Sequence, residues 1–215
     1  MNHINEEYIE DYIRSLLPCS KGILEDMEKY ALDNHVPIVQ PEVAQLIKVL
    51  LKVKKPKNIL EIGTAIGYSV ILMAENTSDD CKITTIERRR DMVEKALDYI
   101  SKTPYNDRIT ILEGEAEEVL LSLKDKYDFI FLDAAKGQYL QFFNRCVDLL
   151  ESGGIVVSDK VLYKGMVATD KLVIRRKITI VKRLRKYLKH INEIEGYTSC
   201  IIPIGDGLAI TYKEE

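Results

Sequence analysis

The 215-residue chain contains no run approaching the roughly 18 apolar residues of a membrane span, so it offers no transmembrane candidate. Internal repeats, low-complexity tracts and Pro/Gly-rich linkers are also missing, and the composition fits neither a disordered chain, a collagen nor a coiled coil. Cys19, Cys81, Cys146 and Cys200 lie far apart with no CxxC pair, and three scattered histidines supply no zinc-ligand spacing. The four thiols are therefore expected to be buried and free in a reducing cytoplasm. The first residues, MNHINEEYIEDYIR, are acidic and amphipathic, the wrong chemistry for a secretory signal or transit peptide. A cytoplasmic location is the expectation. Net charge is small as well: 31 basic against 34 acidic residues give −3, and that total calls for no polyanionic partner.

What is present is an ordinary globular composition, 46% apolar and 30% charged, at a length that suits one slightly large domain. Residues 1–55 read as a helical lead-in. One apolar stripe is Ile9, Ile13, Leu16 and Leu17; a second is Ile23, Leu24, Met27 and Leu32. After Pro41, Val43, Leu46, Ile47, Leu50 and Leu51 repeat at helical spacing. From residue 56 to 215 strands and helices alternate: NILEIG, KITTIE, RITILEG, YDFIFLD and GIVVSD are strands with helical segments between them. In the helix after KITTIE, Met92, Ala96, Leu97 and Ile100 are expected to face inward. The alternation predicts an α/β fold, a mostly parallel sheet with helices on both faces. The end differs, since GYTSCIIPI and GLAITYK flank Gly205-Asp206 as an antiparallel hairpin would. Five such strands followed by a hairpin resemble the Rossmann-like, seven-stranded order of class I methyltransferases, while the alternation alone gives only a doubly wound α/β fold.

Glu61-Ile62-Gly63-Thr64-Ala65-Ile66-Gly67-Tyr68-Ser69 joins the first of these strands to a helix. Glycines there permit a tight turn and close ligand approach, and the helix N-terminus offers unpaired N–H groups. Glu87 ends the next strand, 24 residues after Gly63, where an acid can accept both ribose hydroxyls of a nucleoside. The loop lacks the third glycine of a dinucleotide fingerprint and the Gly-Lys-Ser/Thr of a P-loop. Asp133 follows YDFIFL and Asp159 ends IVVSD, so the two should be neighbours at adjacent strand ends. Such carboxylates repel unless a proton or cation lies between them, and hard oxygen ligands suit Mg²⁺.

The LEIGTAIGYS stretch (60–69) closely resembles motif I of the S-adenosylmethionine (SAM) methyltransferases, in the form found in the catechol and caffeoyl-CoA O-methyltransferase superfamily. With HVPIV (35–39), FLDAAKGQY (131–139) and IPIGDGLAI (202–210), the chain resembles a bacterial subgroup that O-methylates 5-hydroxyuridine at the tRNA wobble position. The resemblance implies SAM held by Val39, Glu61, Gly63, Ser69, Glu87, Glu115, Ala116 and Asp133. Val39 and Ser69 would flank the methionine moiety, Glu87 the ribose, and Glu115-Ala116 the adenine. It also implies a divalent metal on Asp133 and Asp159 that chelates two neighbouring substrate oxygens, with Lys136 as general base. A homodimer is implied too, with the N-terminal helices as the contact. One position departs from the pattern. The family's third metal ligand is an asparagine after the second aspartate, and here it is Lys160, which has no acceptor and carries positive charge. Lys160 either turns away from a weakened Mg²⁺ site or puts its ammonium in the metal's place; a weakened metal site is the expectation.

Residues 171–189 carry nine Lys and Arg and no acid, which takes the charge of the remaining chain from −3 to −12. Ile174, Ile178, Val181, Leu184, Leu188 and Ile191 should pack inward from this segment. Its outer face suits an RNA backbone, with Lys164, Arg175, Arg176, Arg183 and Lys186 as contacts and Tyr139 and Tyr163 beside the site. The target base would lie in an exposed loop such as the tRNA anticodon. Two other functions remain open: methylation of a small catechol-like or phenolic substrate, and SAM or RNA binding without catalysis.

Overall fold

The computed structural model describes residues 3–215. Three helices lead in: α1 (Glu7–Ser15), α2 (Ile23–Asp33) and α3 (Pro41–Lys54). The alternating part follows as β1 (Asn58–Ile62), α4 (Tyr68–Glu75), β2 (Lys82–Glu87), α5 (Arg90–Ser101), β3 (Ile109–Glu113), α6 (Ala116–Ser122), β4 (Tyr127–Leu132), α7 (Tyr139–Leu149) and β5 (Leu150–Ser158). Then come α8 (Ile178–Glu193), β6 (Tyr197–Ile202) and β7 (Leu208–Lys213). The seven strands lie in the order β3-β2-β1-β4-β5-β7-β6. Strands β1 to β5 are parallel, while β7 runs antiparallel to β5 and β6. The α/β sheet and its terminal hairpin are those expected from the strand pattern. Among the described residues no helix is long and apolar enough to cross a membrane.

Period-two alternation of strand side chains divides the interior into two cores. Phe129 and Phe131 of β4 point to the face shared with α2, α3, α4 and α5; Ile130 and Leu132 point to the face under α7 and α8. Helices α2 and α3 contribute Leu24, Met27, Val43, Ile47 and Leu51 to the first core, so the lead-in shares its packing with the sheet.

Several inward assignments differ from the expectation. No residue of α1 is buried; Ile9, Ile13 and Leu16 are exposed, and Arg14 fastens the helix through a two-pronged bridge to the buried Glu42 of α3, at 2.9 and 2.8 Å. Ala31 occupies the buried position of α2 while Leu32 faces solvent; Val93 and Tyr99 are buried on α5 while Leu97 is exposed. Ile174 and Ile178 are exposed because the chain before α8 is a short 3₁₀ turn, Arg175–Lys177, and the helical face forms only from Val181 onward. Cys81 and Cys146 are buried, but Cys19 and Cys200 are exposed.

Candidate active site

Register builds the site. Ile62 of β1 lies beside Ile86 of β2 and Leu132 of β4, and Leu132 lies beside Ser158 of β5. The next residues, Glu87, Gly63, Asp133 and Asp159, therefore form one row along the carboxyl edge, with Glu113 paired to Glu87 at its far end. The row is sewn by backbone bonds: Gly63 N–H to the Ile86 carbonyl at 2.9 Å, Asp133 N–H to Ile62 and Asp159 N–H to Leu132, each 3.0 Å. The order of the sheet reverses between β1 and β4, the position where open α/β sheets bind ligands.

A cleft of about 220 Å³ opens above this row. Gly63, Glu87, Glu115, Ala116 and Asp133 line it, with Ile86, Gly114 and Phe142 among its other walls. Five of the eight residues expected to hold a cofactor thus share one cleft. The other three, Val39, Glu61 and Ser69, are buried outside its lining, and Val39 borders a separate cleft with Tyr68. At Gly63, φ is +107° and an added Cβ would overlap the Asp133 carbonyl, so the glycine is required by sheet-edge packing.

Glu87 is held before any ligand arrives. Its carboxylate accepts the N–H of Ala65 at 3.0 Å and those of Arg88 and Arg89 at 3.0 and 2.9 Å. Beneath the loop, Thr64 and Thr85 hydroxyls meet at 2.5 Å and Thr85 donates to Glu61 at 2.6 Å. Burial pushes the Glu61 carboxyl up to about 7, with Asp133 and Glu87 adding repulsion.

On the β5 side, Asp159 is buried and raised by that burial and by Asp133. The Lys160 ammonium pairs with Asp133 Oδ2 and lies 3.5 Å from Asp159 Oδ2. Burial disfavours its charge, but Asp133 and Asp159 more than compensate and raise its pKa. The expected weakened Mg²⁺ site is not what forms, because the ammonium lies between the two carboxylates. Among the described residues no group of three or more His, Cys, Asp or Glu side chains could hold a metal ion. A doubly charged ion about 4 Å from that ammonium would meet a repulsion of about 8 kcal/mol at an effective dielectric near 20. The residues present do not fit a divalent metal.

Lys136, in a 3₁₀ turn (Lys136–Gln138) after β4, is half-buried, and burial together with the Lys160 charge lowers its pKa against the pull of Asp133. Its Nζ lies 5.8 Å from the centre of the Tyr163 ring, with Lys177 on the same ring at 5.6 Å. Tyr139, expected as an RNA contact, is instead fully buried and donates to the Asp159 carbonyl at 2.8 Å. Asp206 was legible only as a turn residue, yet it accepts the Lys164 N–H and its charge bears on Lys136, Lys160 and Lys164. The hairpin turn therefore belongs to the site.

The basic segment reaches the turn that carries Lys136. Arg183 of α8 donates to the Gly137 carbonyl at 3.2 Å. Lys164, Arg175, Arg176, Arg183 and Lys186 are all exposed. Arg185 differs, since it is spent on the Met166 and Val167 carbonyls and Asp170.

This chain belongs to the O-methyltransferase family, whose profile matches residues 18–214. A caffeoyl-CoA O-methyltransferase of Nicotiana tabacum is 34% identical over 77% of this chain and 72% of its own, and one of Stellaria longipes is 29% identical over 95% and 90%. Among solved structures, a Staphylococcus aureus protein provisionally assigned as a caffeoyl-CoA O-methyltransferase superposes with a TM-score of 0.89 at 38% identity, covering 96% of this chain and all of that one. A Bacillus cereus O-methyltransferase in complex with SAH shares the fold, with a TM-score of 0.85 at 23% identity over 96% and 97%.

Proposed function

We propose that the chain transfers the methyl group of SAM to the 5-hydroxyl of 5-hydroxyuridine at the tRNA wobble position. The observation that carries the reading is the junction of α8 with the catalytic turn, Arg183 on Gly137, which sets an unbalanced positive surface at the rim of the acceptor site. When bound, SAM supplies an electrophilic methyl on a sulfonium. Glu87 offers its remaining lone pairs to the ribose, and Gly114, Glu115 and Ala116 wall the adenine end of the cleft. Burial lowers the Lys136 pKa and so eases loss of its proton, and its amine then takes the acceptor's hydroxyl proton as the oxygen attacks. Lys164, Arg175, Arg176 and Lys186 meet phosphates of the anticodon loop, where the target base can be splayed out. The same reading pairs two copies through the exposed apolar side of α1, and places the protein in the cytoplasm with its substrate.

A second reading is a phenolic acceptor, favoured by the caffeoyl-CoA O-methyltransferases among the relatives. Nucleoside mass spectrometry of tRNA from a strain lacking the protein separates the two. Loss of 5-methoxyuridine with build-up of 5-hydroxyuridine is the expected result; unchanged tRNA nucleosides together with turnover of caffeoyl-CoA in vitro would replace the first reading with the second.

A further inference from the structure

Given the methyl-transfer reading above, we propose that Lys160 is the resident cation of the acceptor site, so that methyl transfer proceeds without a divalent metal and the acceptor is gripped through a single oxygen. Three observations converge on it. The ammonium lies against Asp133 and within 3.5 Å of Asp159, the two carboxylates that stand at adjacent strand ends and need a positive charge between them. The backbone is shaped for this placement. Lys160 adopts φ +58°, an unusual conformation for a lysine, and its N–H is tied to Asp159 Oδ1 at 2.7 Å. The flanking segment is fixed as well, with Val161 and Leu162 bonded to the carbonyls of Gly207 and Asp206 at 2.8 and 3.0 Å.

The donor arithmetic sets the specificity. An ammonium has three N–H groups and no acceptor. One goes to Asp133 and one points towards Asp159, which leaves a single donor for substrate. A divalent ion with two open positions would chelate a pair of neighbouring oxygens, whereas Lys160 can hold only one. In the transfer itself the acceptor O–H gives its proton to the Lys136 amine and the oxygen forms the new C–O bond. The S–C bond breaks with its electron pair going to sulfur. Lys160 stabilises the negative charge that develops on the oxygen and remains protonated throughout. An acceptor with one hydroxyl and no neighbouring oxygen is then as competent as a vicinal pair.

The test uses the full chain and Mn²⁺ as the metal probe. Titration of the wild-type protein with Mn²⁺, read by electron paramagnetic resonance, is expected to show no site, and turnover with hydroxyuridine-containing tRNA is expected to be unchanged by EDTA. Lys160→Asn is expected to bind Mn²⁺ at least about a hundredfold more tightly and to become EDTA-sensitive. Tight Mn²⁺ binding by the wild type, or loss of its turnover in EDTA, would overturn the proposal, and neither measurement depends on the variant folding. A wild type that ignores Mn²⁺ but fails to methylate tRNA would leave Lys160 as the resident cation and sink the tRNA reading alone. In that event caffeoyl-CoA turnover in EDTA supplies the activity arm.

Discussion

The backbone N–H of Ala65 donates to the Glu87 carboxylate at 3.0 Å, which stitches the loop after β1 to the end of β2. Glu87 is thus both a candidate ribose ligand and a clamp on the glycine loop. Glu87→Ala is expected to lower SAM affinity by at least tenfold and to lower stability too, since three backbone donors lose a charged acceptor worth about 1.5–3 kcal/mol each. Calorimetry and thermal melting on one sample check both; unchanged SAM affinity would remove the ribose role.

Glu61 makes the stability of the ligand-free protein depend on pH. Its folded pKa is about 7 against an ordinary 4.5, so the folded state holds the proton more tightly. The contribution is full below about 4.5 and is lost as pH rises through 7, up to about 3 kcal/mol. Asp159, raised by burial and by Asp133, acts in the same direction. Melting of wild type between pH 5 and 8 should show falling stability with rising pH, and Glu61→Gln should flatten most of that slope. An equal slope in both proteins would exclude Glu61 as its source.

Lys136→Met is expected to abolish turnover while SAM binding survives, because the amine is not among the residues lining the cleft. In the wild type, kcat should rise with pH as Lys136 loses its proton, with a midpoint below that of an ordinary lysine. A flat profile would point to another base.

Charge reversal should separate two kinds of arginine. Changing Arg175, Arg176 and Lys186 to Glu is expected to abolish tRNA binding with melting unchanged, and wild-type affinity should fall with salt at a log–log slope of about −0.7 to −0.9 per phosphate. Arg185→Glu should instead destabilise the loop at Met166–Val167, which it holds by carbonyl contacts. A complex indifferent to salt would eliminate the phosphate surface.

The strand–helix alternation and the acid row were legible, the row because a strand that ends in Asp or Glu, such as YDFIFLD or KITTIE, declares both its burial and its edge. The two-faced burial of β4 followed directly from its unbroken apolar run. The lead-in was harder: Leu32 and Leu97 sit at helical spacing with their stripes, and only packing shows that Ala31 and Tyr99 take the inner positions. Lys160 could be marked as a departure, but where its ammonium rests depends on a left-handed backbone angle and a rotamer, neither of which spacing encodes. Asp206 was hidden for a similar reason. A Gly-Asp pair in a hairpin reads as turn chemistry, and the contact with Lys164 spans 42 residues.

The row formed by Glu113, Glu87, Gly63, Asp133 and Asp159 has a bearing on quality control. Successive strand residues face opposite sides, so a one-residue slip of β4 against β1 would carry Asp133 out of line and set Leu132 or Ala134 in its place. Gly63 would then meet a different carbonyl, and Lys160 would lose the nearer of its two carboxylates. Under the proposed reading, chemistry at this edge is therefore an audit of sheet register: a chain with β4 slipped against β1 lacks the Asp133–Lys160 pair and is expected to be catalytically silent.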